Sequence, residues 1–162
     1  MNSMDELMEH TIQDLYSAET QALEAMPQML DRIRDENLRQ AFQVHQRETQ
    51  TQVTRLEQIA QQLGIDPQGD TCVGMQGIIE EGQEMLAQIG NDQLVDAVII
   101  GSAQKMEHYE IAGYGTARTL ALQAGQRQIA DLLQQTLVEE KAADQKLTMI
   151  AESHVNQKAV NS

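Results

Sequence analysis

In the stretch Lys105–Tyr114, KMEHYEIAGY, a carboxylate stands where a helix needs an apolar residue. Ala103, Met106, Gly113, Tyr114 and Ala117 recur at helical spacing and mark one small, apolar face. Glu110 lies in the middle of that face, and Glu107 is its neighbour one turn earlier. An ionised carboxylate in a core stripe is costly unless a proton, a hydrogen bond or a metal ion compensates it. Three other segments repeat the pattern, so the fold must supply that compensation several times over.

The whole chain reads as helix. It has two prolines in 162 residues, and it has length enough for one domain, 1–162, with a real core. One Phe, three Tyr and no Trp leave aliphatic side chains, Met and Ala to fill that core. This is the economy of a bundle with closely spaced axes. Helix one is predicted over about 3–34, with Ser3 and Glu6 as a capping box and Glu19 at the centre of a stripe that includes Ile12, Leu15, Leu23 and Met26. Pro27 falls inside it. Helix two is predicted over 36–63, its inner stripe interrupted by His45, Thr49 and Gln52, with Glu48 on the flank. Gly64 and Asp66-Pro67 end it.

A short helix over about 75–89 reads as an accessory in a long crossover, and Cys72 before it as a packing residue. Helix four is predicted over 93–123 and carries Glu107 and Glu110. Its Gly101, Gly113 and Gly115 suggest close approach of another helix. Helix five is predicted over 127–154, with Glu140 and Asp144 on its stripe, followed by a polar tail that frays. The expected architecture is all-α: two antiparallel helical hairpins forming a four-helix bundle, with the extra helix in the crossover.

The hairpins bring the inner acids to one height. Glu19 precedes a turn near Asp35 by 16 residues, and Glu48 and Gln52 follow it by 13 and 17. Glu110 and Glu140 each stand 15 residues from a turn near Gly125. At about 1.5 Å per residue these offsets agree within roughly one turn. Glu19, Glu48, Glu110 and Glu140 can therefore share a layer, joined by His45, Gln52, Glu107 and Asp144. A carboxylate from each of four helices, with imidazole alongside, is how bundles hold two iron or manganese ions. Tyr16, Tyr109 and Tyr114 could donate hydrogen bonds to the acids or simply pack. His108 points off the inner face, His10 and His154 need no role, and Glu139 reads as a solvated face.

Composition excludes other classes. The formal charge of −14 argues against nucleic acid and anionic membrane partners. One cysteine gives neither an internal disulfide framework nor a cysteine zinc site. No apolar run approaches about 18 residues, and the N-terminus lacks a secretory pattern, so a cytoplasmic setting is expected.

Five segments carry a family resemblance: DLYSAE (14–19), AFQVHQRET (41–49), CVGMQGIIEEG (72–82), KMEHYEIAGYGT (105–116) and TLVEEKAADQKLT (136–148). In order and in detail the chain resembles the YciE/YciF family of ferritin-like bacterial proteins. The resemblance implies a ferritin-like bundle, a dimer, a dinuclear metal site and a link to stress responses, with Fe(II) oxidation by peroxide or oxygen as the implied activity. The alternative is a non-enzymatic structural or interaction dimer whose site is vestigial. The wider ferritin-like pattern has single acids in the first and third helices of the four-helix bundle, here Glu19 and either Glu107 or Glu110, and Glu-x-x-His in its second and fourth. Here Thr51 follows Glu48 and Ala143 follows Glu140 at the histidine positions, with His45 one turn before Glu48 and Asp144 just beyond Ala143. The site should be unusually rich in oxygen.

Overall fold

Six α-helices are formed by the described residues, 1–160, of this computed structural model. Asn161 and Ser162, the last two positions of the expected 1–162 domain, lie outside the described residues. The helices are α1 Met4–Arg32, α2 Glu36–Leu63, α3 Val73–Gln88, α4 Val95–Gln123, α5 Arg127–Ile150 and α6 Asn156–Val160. A 3-10 turn, Asp92–Leu94, leads into α4, and a π turn, Ala151–Val155, joins α5 to α6.

Helix ends follow local chemistry. Ser3 Oγ accepts from Glu6 N, while Glu6 reaches back to Asn2 N rather than closing the box on Ser3. Asp35 caps α2 by accepting from the amides of Asn37 and Leu38. Gly64 and Gly125 take φ of 71° and 74°, and so turn the chain out of α2 and α4 in the left-handed region. Pro27 is accommodated within α1. Helix α3 begins two residues before its predicted start, because Cys72 is anchored: its amide donates to Ser17 Oγ, and its carbonyl accepts from Gln21.

Hairpins α1–α2 and α4–α5 pack side by side, α1 also touching α4 and α2 also touching α5. The fold is therefore an all-α, ferritin-like four-helix bundle, and α3 lies in the crossover against α4 and α1. Asp96 sets the register between hairpins. Both its oxygens accept from the turn of the first hairpin, Oδ1 from Arg34 N and Oδ2 from Asp35 N, each at 2.9 Å. That lock puts the start of α4 beside the α1–α2 turn. Glu19 and Glu110 then lie about 24 and about 21 Å from the locked end, within one turn of each other.

Two apolar clusters fill the bundle. One holds Ile33, Leu38, Phe42, Ile99, Leu147 and Ile150. The other holds Ile12, Leu15, Leu56, Ile59, Ala117 and Leu133. A third, Ala18, Ala22, Met26, Cys72, Met75 and Met106, seats α3. Among the glycines of α4, Gly113 meets a close neighbour: a Cβ there would lie 2.8 Å from Leu15 Cδ2. Gly101 and Gly115 face open space, so the expected close approach does not occur at them.

The C-terminal end departs from expectation. Helix α5 stops at Ile150 rather than 154, and the chain does not fray at Val155, which is buried. The π turn directs His154 toward the α2 cap, where its Nε2 lies 2.6 Å from Asp35 Oδ2, and Lys158 Nζ reaches the same oxygen at 3.4 Å. Burial alone would raise the Asp35 pKa. The Leu38 amide, His154 and Lys158 outweigh it and hold the carboxyl below its ordinary value. Among the described residues no helix is long and apolar enough to cross a membrane.

Candidate metal centre

Between the two main apolar clusters lies a polar layer contributed by all four bundle helices. Glu19 of α1, Gln52 of α2, Glu107 and Glu110 of α4, and Glu140 of α5 are each no more than 2% exposed. His45 of α2 completes it from one side, with Nε2 2.9 Å from Glu107 Oε1. One ligand atom each from His45, Glu107 and Glu140 lie within 4.8 Å of one another.

The residues around the layer fix its donors. Tyr114, fully buried, donates from its hydroxyl to Glu19 Oε1 at 2.5 Å. Arg55 forks onto Glu139, Nη1 to Oε2 at 2.9 Å and Nη2 to Oε1 at 3.0 Å, and also donates to Thr136 Oγ1. Glu139 in turn accepts from Gln52 Nε2 at 3.1 Å. A carbonyl oxygen turned toward that carboxylate would be repelled, so the Gln52 amide can sit only one way round. Its Oε1 then points away from Glu139 and is buried with no donor. Glu19 Oε2, Glu107 Oε2, Glu110 Oε1 and both oxygens of Glu140 are likewise buried and unpaired.

Such a layer cannot hold all its charges unaided. Burial, then the charge of Glu140, pushes the Glu19 carboxyl up to about 8. Burial raises Glu107 to about 7, against the opposing effect of a hydrogen bond with Glu140, and burial and neighbouring acids raise Glu110 and Glu140 well above the carboxylate range. Burial and the adjacent Glu19 likewise raise the Tyr114 phenol. Unpaired oxygen acceptors facing one another with an imidazole beside them fit one or two hard divalent cations, which would pair with the oxygens and keep the acids ionised.

The structure thus brings together Glu19, His45, Gln52, Glu107, Glu110 and Glu140. It places two expected members elsewhere. The Glu48 side chain is 44% exposed, at the rim, with Oε2 3.9 Å from His45 Nδ1. Helix α2 turns His45, Thr49 and Gln52 inward, and Glu48 falls on its flank. Asp144 is half-buried, accepts from Gln104 Nε2 at 2.9 Å, and faces the exposed His108. Thr51 is exposed, and Ala143 lines a cavity of about 380 Å³ that opens beside His45.

Sequence reasoning missed Arg55 and misread Glu139. Glu139 is not a solvated face, because Arg55 and Gln52 hold it. Arg55 stands next to the stripe residue Leu56, and a lone Arg in that place was the available signal. Tyr16 bonds Glu57 at the surface, and Tyr109 bridges Cys72 and Asp14, so of the three tyrosines only Tyr114 reaches the acids.

The comparisons with known proteins agree with this architecture. The model of a domain of unknown function, DUF892, matches residues 3–160. Protein YciF of Escherichia coli (strain K12) is 42% identical over 162 residues, covering 99% of this chain and 98% of YciF. The chain belongs to the DUF892 family, that of YciF. The crystal structure of the E. coli stress protein YciF superposes with a TM-score of 0.90 at 41% identity, over 96% of this chain and 99% of YciF. YcfI of Rhodopseudomonas palustris, described provisionally as a structural protein, gives 0.89 at 38% identity, over 91% and 94% of the two chains.

Proposed function

We propose that this DUF892 member is a cytoplasmic, ferritin-like stress-response protein that binds two metal ions in its polar layer, iron first and manganese second. Glu19, His45, Glu107, Glu110 and Glu140 hold the ions, and Gln52 contributes its carbonyl oxygen. Glu48 and Asp144, expected as ligands, serve at the periphery. The observation that carries the reading is the set of buried, unpaired acceptors in one layer, Gln52 Oε1 among them. Two iron ions bound there would supply the two electrons needed to reduce peroxide, or to begin reducing oxygen.

The chain's own residues do the rest. Tyr114 fixes one Glu19 oxygen and leaves the other free. The Arg55–Glu139 pair holds Gln52 in place. The apolar clusters on either side keep bulk water out of the layer. A homodimer forms through an outer helix face, where Met85 and the surroundings of His108 are exposed. Met75, on the same helix as Met85, is fully buried and takes no part in that face.

Anaerobic Fe(II) titration tests the reading. About two ions should bind per chain, and most binding should be lost in Glu140→Ala. Unchanged stoichiometry in that variant would remove the site. A second reading keeps the fold without the reaction: a structural or interaction dimer with protonated acids in a vestigial site. The structural description of YcfI and the raised carboxyl pKa values favour it. Metal content after purification without chelator separates the two.

A further inference from the structure

One cavity reaches the polar layer from the surface. Glu19, Gln52, Glu107, Glu110 and Glu140 are all but inaccessible, whereas His45 and Glu48 show 15% and 44% of their side chains. Those two line the 380 Å³ cavity between α2 and α5, and Glu107 lies at its floor. Its walls are Val44 on α2 and Ala143 and Lys146 on α5. Three other surface cavities are lined by none of the layer's residues.

The polar groups along this cavity form a series. Glu48 Oε2 at the rim lies 3.9 Å from His45 Nδ1, and Nε2 on the far side of the same ring lies 2.9 Å from Glu107 Oε1. One imidazole therefore separates an exposed carboxylate from a buried one. Ala143 is one of four alanines that line this space, with Ala41, Ala103 and Ala142, and a larger side chain there would narrow it.

We propose that divalent cations reach the buried layer through this cavity, captured by Glu48 at the rim and passed beside the His45 ring to Glu107. The proposal rests on the metal-binding reading and adds the route and the class of traveller. A carboxylate at the mouth and another at the floor favour a cation over an anion. Lys146 opposes entry, which makes its removal informative.

The test is stopped-flow loading of the chelator-treated full chain with anaerobic Fe(II). Tyrosine fluorescence follows it, because Tyr114 contacts Glu19, and equilibrium dialysis gives the endpoint. Ala143→Leu should slow loading at least ten-fold and leave the endpoint unchanged. Ala87→Leu, in the cavity between α1, α3 and α4, should leave both unchanged. Lys146→Glu should speed loading several-fold at low salt and less at high salt. Should Ala143→Leu prevent folding, Val44→Phe narrows the same mouth from an exposed position. Wild-type rates in both narrowing variants overturn the route while leaving the site intact. Loss of the endpoint in both would make this wall part of the site and overturn the route as well. A wild-type chain that takes up no Fe(II) overturns the route together with the metal-binding reading.

Discussion

Replacing Glu19 by Gln should stabilise the metal-free protein, although it removes a fully buried residue at the heart of the bundle. Gln keeps an oxygen for the Tyr114 hydroxyl, which now donates to Glu19 at 2.5 Å, and it removes one ionisable group. Burial and Glu140 place the folded-state pKa at about 8, against an ordinary value of 4.5. At pH 7 the unfolded chain carries this group ionised, while the folded chain must protonate it. That difference costs about 3 kcal/mol at pH 7 and about 1 kcal/mol at pH 5. The sign is that of an acid raised by folding: stability is complete below about 4.5 and is lost as pH climbs to about 8.

Glu107, raised to about 7, titrates in the same window, and the acids relieve one another when one is neutralised. A measured gain of about 1–3 kcal/mol is therefore expected at pH 7, raising Tm by roughly 2–12 °C. Wild type should gain stability between pH 7 and pH 5, and Glu19→Gln less. Saturating anaerobic Fe(II) should reverse the ranking, because metal binds the folded state and needs ionised ligands. The assay is thermal melting followed by far-UV circular dichroism, with chelator and with Fe(II), at both pH values. If Glu19→Gln melts below wild type without metal at pH 7, and Fe(II) shifts neither, the acids are structural hydrogen-bonding groups and the charge argument is wrong.

Other perturbations have distinct signatures. Glu48→Ala should weaken equilibrium Fe(II) binding far less than Glu140→Ala, in parallel titrations, because only Glu140 is in the buried layer; equal losses would contradict that ranking. Arg55→Leu should cost about 2 kcal/mol in urea unfolding, since it strands Glu139 and Thr136 and frees Gln52; a neutral result would mean that the clamp contributes nothing. Asp35→Ala should cost about 1–2 kcal/mol through the lost α2 cap. Its pKa lies below 3.8, so its contribution is full above that value and fades as pH falls through the folded pKa, which acid unfolding of wild type and variant should register as a shrinking difference. Sedimentation should give a species of twice the 18.1 kDa chain at micromolar concentration; an 18.1 kDa species alone would exclude the homodimer.

What could be read in advance depended on whether the information was periodic. The apolar stripes, the turn at Gly64 and the acids Glu19, Glu107, Glu110 and Glu140 follow from spacing along single helices, and the structure buries all four acids. The height match followed from loop positions, and Asp96 supplies the contact that enforces it. The α2 stripe could be read too, with His45, Thr49 and Gln52 inward and Glu48 on the flank, where its side chain is 44% exposed. Arg55 and Glu139 were harder. Each looks like a surface charge on its own helix, and only the α2–α5 contact turns them into a pair. That pair then fixes the Gln52 amide, so one buried acceptor is oriented by two residues that seemed to belong to solvent. The site's donors were legible residue by residue, but their directions come from contacts between helices far apart in the chain.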